Sequence, residues 1–163
     1  MRQKPGKHLT QAGVSLARQV GEGMGPFARV ITSDIPRAYE TAIAMGFAVD
    51  DQSQEWSTYG EATEEEIENC ANMADLARVI KTGKATAKLC KSLVDHMKNI
   101  VRSLIEGESA LVVSHGGVIE IACIGCLPRA KHGSWSGFFD YCEGARLTFQ
   151  ADDFVSIELL RVS

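Results

Sequence analysis

The sequence lacks the features that would assign the chain to a membrane, a nucleic acid or a disulfide scaffold. No apolar run approaches the roughly 20 residues that span a bilayer, and no apolar core follows the polar N-terminus as it would in a secretory signal. Acidic residues outnumber basic ones by 21 to 17, which argues against a nucleic-acid-binding face. Five cysteines are an odd number, so we expect reduced thiols and a cytoplasmic location.

The composition that remains is typical of a globular enzyme-sized domain. The chain has 163 residues, of which 45% are hydrophobic, so a single domain over residues 1–163 can enclose a core. We predict strands at 27–31, 109–114, 145–149 and 154–162, and helices at 11–20, 36–46, 63–83, 83–107 and 117–126. This alternation predicts an α/β fold with a mostly parallel sheet.

Local signals set the predicted helix ends. Thr10 is a candidate cap for the first helix, and residues 32–34 are candidate caps for the second, where Pro36 suits the first turn. Thr63 and Glu66 form a capping-box pattern. Residues 49–62 are polar and rich in turn-forming residues, so we expect a surface loop there.

Two segments, 33–37 and 114–117, follow buried strands, where parallel sheets bind their ligands. Arg37 could hold two phosphate oxygens through its planar fork, or it could be an ordinary surface arginine. His115 could contact an anion beside the free N–H groups of Gly116 and Gly117, or it could bond a core carbonyl. The two glycines favour the anion site.

Three blocks of sequence together resemble one known family. The blocks are His-Leu-Thr-Gln-Ala-Gly at 8–13, Thr-Ser-Asp-Ile-Pro-Arg-Ala-Tyr-Glu-Thr-Ala at 32–42, and Val-Val-Ser-His-Gly-Gly at 112–117. They resemble the histidine phosphatase superfamily, which includes the cofactor-dependent phosphoglycerate mutases. The resemblance implies a three-layer sandwich with helices on both faces of the sheet. It also implies phosphatase-type activity on a small phosphomonoester or a phosphoprotein, without a metal or other cofactor.

The resemblance also implies roles for particular side chains. In the family a histidine of an Arg-His-Gly motif on the first strand attacks phosphorus. The motif's arginine, an arginine matching Arg37 and a histidine matching His115 stabilise the transferring phosphoryl group. A carboxylic acid protonates the leaving oxygen, and Glu55 is its best match here, with Glu61 second.

The N-terminal block departs from the family. No Arg-His-Gly occurs in the sequence. The best alignment matches Arg2 to the motif's arginine, as a further phosphate contact, and leaves Gln3 where the nucleophile should stand. We therefore expect a truncated or missing first strand and an impaired phosphatase. The alternative is a non-catalytic domain that binds a phosphoryl ligand or a partner.

Cys123 and Cys126 form a Cys-x-x-Cys string, which is found in redox and zinc sites. The string lies inside an apolar helical run without a second pair of ligands at metal spacing. We expect buried helix thiols, and a redox or metal protein is the third hypothesis.

Overall fold

The structure is a computed structural model that describes residues 8–163. Its contacts divide the chain into two compact units. The first holds residues up to Thr58, together with Ile100–His115 and Val162. The second holds Tyr59–Asn99, Gly116–Arg161 and Ser163. Each unit is described by itself, and the number of domains stays a prediction.

The first unit is built on a parallel sheet. Its helices are α1 (Gln11–Gly21) and α2 (Pro36–Ala44), and its strands are β1 (Arg29–Ser33), β2 (Asp51–Ser53) and β3 (Ala110–Val113). The strand order is β2-β1-β3, and both pairings are parallel. β1 is buried from Val30 to Ser33 because a strand lies on each side of it. The predicted α/β class with a parallel sheet is confirmed.

Strand β2 lies where the sequence predicted only a surface loop. Its three residues, Asp-Gln-Ser, carry no apolar side chain, and the strand is held by its backbone pairing with β1. A short 3-10 turn, Gln54–Trp56, follows it and buries Trp56. A strand this short and polar gives no periodic signal, which is why the prediction for residues 49–62 was wrong.

The two helices of this unit begin differently. The Thr10 side chain accepts the Gly13 N–H at 3.0 Å, as predicted for the cap of α1. At α2 the N-cap is Ile35, and no side chain caps the helix, so the predicted cap from residues 32–34 was wrong. The helices pack closely at Gly21, where a Cβ would lie 2.2 Å from the Met45 carbonyl oxygen. Only glycine permits this approach.

The second unit combines helices with one hairpin. The helices are α3 (Glu61–Ile67), α4 (Met73–Thr82), α5 (Ala85–Arg102, whose last residues belong to the first unit) and α6 (Val118–Cys126), and the strands are β4 (Gly144–Gln150) and β5 (Asp153–Leu160). β4 and β5 pair antiparallel. α6 is buried at seven of its nine positions, because its sequence is apolar on all sides.

Burial in α6 also decides the character of its cysteines. All five cysteines of the chain are free thiols. Cys123 and Cys126 are buried in α6, and burial raises the pKa of both thiols, that of Cys126 to about 12. The prediction of buried helix thiols is confirmed, and such thiols are poor nucleophiles at neutral pH.

The predicted capping box at Thr63 and Glu66 was wrong. α3 begins at Glu61 with Gly60 as its N-cap, and the predicted helix 63–83 is two helices. The Glu66 carboxylate instead accepts the N–H groups of residues 84–86 at 2.8–3.0 Å, at the start of α5. Hydrogen bonds from Thr86 and from Ala85 lower the pKa of Glu66 to about 2.

Replacement of Glu66 should therefore weaken folding in a pH-dependent way. The folded pKa lies below the ordinary value, so the stabilisation is full above about pH 4.5 and is lost as pH falls towards 2. Urea unfolding of Glu66→Gln should show a lower midpoint than the wild type at pH 7, and the difference should shrink below pH 4.5. The exposed neighbour variant Glu65→Gln is the control. Equal midpoints for wild type and Glu66→Gln at pH 7 would contradict the assignment.

Candidate active site

The candidate site lies at the carboxyl ends of two neighbouring parallel strands. β1 ends at Ser33, and β3 ends two residues before His115. Thr32 pairs with Val113, so both strand ends reach the same edge of the sheet. α2 starts at Pro36, which places Arg37 in its first turn above that edge. Ligands of parallel sheets bind at this edge.

Three side chains meet there, and we call them the Ser33–Arg37–His115 cluster. The Ser33 hydroxyl oxygen lies 2.6 Å from His115 Nε2. An Arg37 nitrogen, Nη2, lies 3.4 Å from His115 Nδ1. Ser33 is fully buried, and His115 is only 6% exposed. Both ring nitrogens of the histidine thus have polar neighbours, so the ring orientation is fixed.

The imidazole is neutral at physiological pH. Burial, and then the positive charge of Arg37, lower the pKa of His115 to about 4, and the carboxylate of Asp34 opposes them. Desolvation disfavours the charged form of a buried histidine, and a neighbouring cation adds to this. The cluster therefore holds one permanent cation and one neutral ring that can still bind a proton.

Contacts behind the cluster join the 3-10 turn to both strand ends. Ser114 precedes His115 in the chain, and its hydroxyl donates to the Trp56 carbonyl at 2.5 Å. Asp34 follows Ser33 in the chain, and its carboxylate accepts a hydrogen bond from the Ser57 hydroxyl. These contacts brace the segments that carry the cluster, which favours a preorganised site.

The structure brings together two of the residues singled out in the sequence, Arg37 and His115, and their role as phosphate contacts stays a prediction. Glu55 is exposed in the 3-10 turn, where its carboxylate accepts a hydrogen bond from the Ser53 hydroxyl at 3.3 Å. Its role as the acid also stays a prediction. Arg2 lies outside the described residues. The exposed His8 has its Nδ1 2.5 Å from Glu40 Oε1, on α2.

The expectation for Gly117 was wrong in one respect. Its N–H is not free for an anion, because it donates to the Glu120 carboxylate at 2.7 Å. Glu120 is 2% exposed, its other oxygen accepts the Phe139 N–H at 3.1 Å, and burial raises its pKa. Glycine is required at position 117 because φ is 87° and a Cβ would lie 2.5 Å from the Tyr59 ring.

The sequence analysis singles out segment 33–37 but does not identify Ser33 as a site residue in its own right. It stands in the block that carries the family resemblance, but nothing local marks its hydroxyl as a partner for a histidine. The one available signal is a small polar residue at the end of a buried strand, one helix turn before Arg37.

Within residues 8–163, no group of three or more histidine, cysteine, aspartate or glutamate side chains could hold a metal ion. In the same part of the chain, the helices are too short or too polar to cross a bilayer. Neither finding points to a second kind of site.

One comparison with known proteins identifies a family. The model of the histidine phosphatase superfamily (branch 1) matches residues 1–160. No curated protein matches the chain.

Among solved structures, Bacillus stearothermophilus YhfR is 18% identical over all of this chain and 89% of its own, with a TM-score of 0.74. An Entamoeba histolytica phosphoserine phosphatase is 18% identical over 95% of this chain and 85% of its own, with a TM-score of 0.72. A mycobacterial glucosyl-3-phosphoglycerate phosphatase is 16% identical over 96% of this chain and 88% of its own, with a TM-score of 0.70. At this identity they show the fold, which is the phosphoglycerate mutase-like fold predicted from the sequence.

The neutral state of His115 predicts an acid-sensitive contribution to stability. The pKa of His115 is about 6.5 in the unfolded chain and about 4 in the folded chain, so the unfolded chain takes up the proton first as the pH falls. The contribution of the neutral ring to the free energy of unfolding is therefore complete above pH 6.5 and is lost as the pH falls to 4. The whole change is on the order of 3 kcal/mol. The free energy of unfolding, measured in urea from pH 7 to pH 4, should fall less steeply in His115→Gln than in the wild type. The variant Arg18→Gln, an exposed change on α1, is the control and should follow the wild type. A wild-type slope in His115→Gln would refute the prediction.

Proposed function

This chain belongs to the histidine phosphatase superfamily, and we propose that its Ser33–Arg37–His115 cluster binds the phosphoryl group of a phosphomonoester in a phosphatase-type reaction. The observation that carries the proposal is the part-buried contact between Arg37 and His115 at the carboxyl ends of β1 and β3. A guanidinium beside a histidine at this edge is suited to a phosphate with two or more negative oxygens.

The start of α2 supports an anionic ligand. Its first turn contains no acidic residue and carries Arg37, the reverse of the usual preference for negative side chains at a helix N-terminus. A bound anion would compensate the positive ends of the helix dipole and the guanidinium together. The local charge therefore favours phosphate over a neutral or cationic ligand.

The structural relatives support a small phosphomonoester over a phosphoprotein. One relative is a phosphoserine phosphatase in complex with 3-phosphoglyceric acid. Another is a glucosyl-3-phosphoglycerate phosphatase in complex with VO3. We propose substrates of this size for the present chain, with a phosphoprotein as the second class, in the cytoplasm and without a cofactor.

The catalytic part of the proposal is more restricted. Covalent phosphoryl transfer by the family route needs the histidine of an Arg-His-Gly motif, and the 163-residue sequence contains no such motif. We propose that hydrolysis by this chain is impaired, with Glu55 as the acid for any turnover and Arg2 as an additional phosphate contact. The second candidate function is a non-catalytic domain that binds a phosphoryl ligand or a partner.

Binding of inorganic phosphate tests the site itself. Loss of a charge-assisted contact costs about 1.5–3 kcal/mol, so Arg37→Ala should weaken phosphate binding roughly 10- to 100-fold in calorimetric titration. Arg37→Lys keeps the charge but loses the fork, and should fall between wild type and Arg37→Ala. Arg18→Ala removes an exposed arginine from α1 and should bind as the wild type does. Unchanged binding in Arg37→Ala would overturn the proposed site.

Turnover of p-nitrophenyl phosphate separates the two candidate functions. Weak hydrolysis that is lost in His115→Ala is the result we expect for the impaired phosphatase, whereas phosphate binding with no hydrolysis above the His115→Ala background would favour the non-catalytic domain. Robust hydrolysis that disappears in His115→Ala would refute both the impairment and the binding-only alternative. Robust hydrolysis that persists in His115→Ala would show that the cluster is not the catalytic site.

A further inference from the structure

The hydrogen bonds around His115 fix which ring nitrogen carries the proton. A guanidinium has only donors, so the nitrogen facing Arg37, Nδ1, must offer its lone pair. In a neutral imidazole the hydrogen then resides on Nε2, which lies 2.6 Å from the Ser33 hydroxyl. Ser33 therefore accepts the Nε2–H, and Nδ1 is left as an acceptor.

Ser33 is built to be that acceptor. Its hydroxyl oxygen also accepts the Ile35 N–H at 3.2 Å, and a hydroxyl has two lone pairs for two such bonds. The side chain is fully buried, so no solvent can replace it as a partner of the ring. Without the hydroxyl, the Nε2–H would be buried without an acceptor, and the hydrogen would be better placed on Nδ1.

A ring held in this way cannot donate to an anion on the Arg37 side until it gains a proton. A fully ionised phosphoryl group has hydrogen-bond acceptors and no donor. The Nδ1 lone pair is also an acceptor, so the two repel. We propose that Ser33 is a positioning residue that holds His115 as the Nε2–H tautomer, and that binding of a phosphoryl dianion is therefore coupled to uptake of one proton at Nδ1. This inference rests on the proposed function of the cluster.

The proton balance of this step is simple. One proton moves from solvent to the Nδ1 lone pair and an N–H bond forms there. The hydrogen bond from Arg37 Nη2 to Nδ1 is given up, which frees that guanidinium N–H for the anion, and no bond of the anion breaks. The resulting imidazolium donates to Ser33 through Nε2 and to the anion through Nδ1. The charge of the cluster thus rises by one only when the anion is present to balance it.

The charged groups around the ring are consistent with this coupling. Arg37 on α2 disfavours the imidazolium, and Asp34 before α2 favours it. In the 3-10 turn, Glu55 is exposed and bonded to Ser53. A dianion in contact with Nδ1 adds two negative charges, and one opposite charge within about 4–6 Å already shifts a pKa by about 1–3 units. Two such charges raise the pKa of His115 from about 4 by roughly 2 to 6 units, to about 6 or higher, so the imidazolium becomes populated near neutral pH when the anion is bound.

The first arm of the test reads the tautomer in the free protein. Long-range 1H–15N NMR spectra at pH 7.5 distinguish Nε2–H from Nδ1–H histidine, and we expect Nε2–H for wild-type His115. Ser33→Ala, and the nearly isosteric Ser33→Cys with its weak acceptor, should shift the population to Nδ1–H. Ser33→Thr keeps the hydroxyl and should restore the wild-type spectrum. Ser114→Ala, whose hydroxyl bonds the Trp56 carbonyl, is the matched control.

The second arm measures the proton. Sulfate is a dianion that does not titrate near neutral pH, so calorimetric titration with sulfate in buffers of different ionisation enthalpy counts protons taken up by the protein alone. We expect close to one proton per sulfate for the wild type, Ser33→Thr and Ser114→Ala. We expect less than half a proton for Ser33→Ala and Ser33→Cys, and none for His115→Gln.

The outcomes separate the inference from the proposed function. Failure of both sulfate and phosphate to bind would overturn the proposed function and the inference with it. Binding without proton uptake, or an Nδ1–H tautomer in the wild type, would overturn the inference and leave the phosphate site intact. Full uptake with an unchanged tautomer in Ser33→Ala and Ser33→Cys would show that Ser33 does not position the ring.

Discussion

The parallel pairing of β1 with β3 is the contact on which the site depends. It joins segments about 80 residues apart, since Ser33 and His115 are separated by 82 positions. Closing so long a loop carries an entropic cost that rises only slowly with length. The buried backbone of β1, with a strand on each side, offsets that cost and sets the position of both strand ends. Once the register is set, the cluster requires only short extensions of each strand.

The cluster illustrates a compromise between burial and charge. The half-buried Arg37 guanidinium lies beside the buried His115 ring, an arrangement that would be costly if both were charged. The low pKa of His115 removes that cost in the free protein, because the ring is neutral beside Arg37. The same neutrality leaves an Nδ1 lone pair that accepts from Arg37. A bound anion and a proton at Nδ1, as proposed above, would replace that contact.

The elements that the sequence predicted well are those with local signals. α1, α2, α6 and the strands β1 and β3 have apolar periodicity or caps that act within a few residues. The sequence also singled out Arg37 and His115 as candidate phosphate contacts, because the blocks around them resemble a known family. β2 was missed because three polar residues held by backbone bonds carry no pattern. The contacts of Glu66 with residues 84–86, of Glu120 with Phe139 and of Ser33 with His115 were missed because each joins positions 18 or more apart.

The Glu66 carboxylate has a consequence for the dynamics of the second unit. It closes a loop of 18 to 20 residues without a covalent bond, so it acts as a non-covalent clip between the end of α3 and the start of α5. The amide hydrogens of residues 84–86 exchange with solvent only when this clip opens. The start of α5 and the end of α3 therefore form one cooperative opening unit, distinct from the buried α6. In acid, hydrogen exchange would spread through the second unit from this loop towards its core.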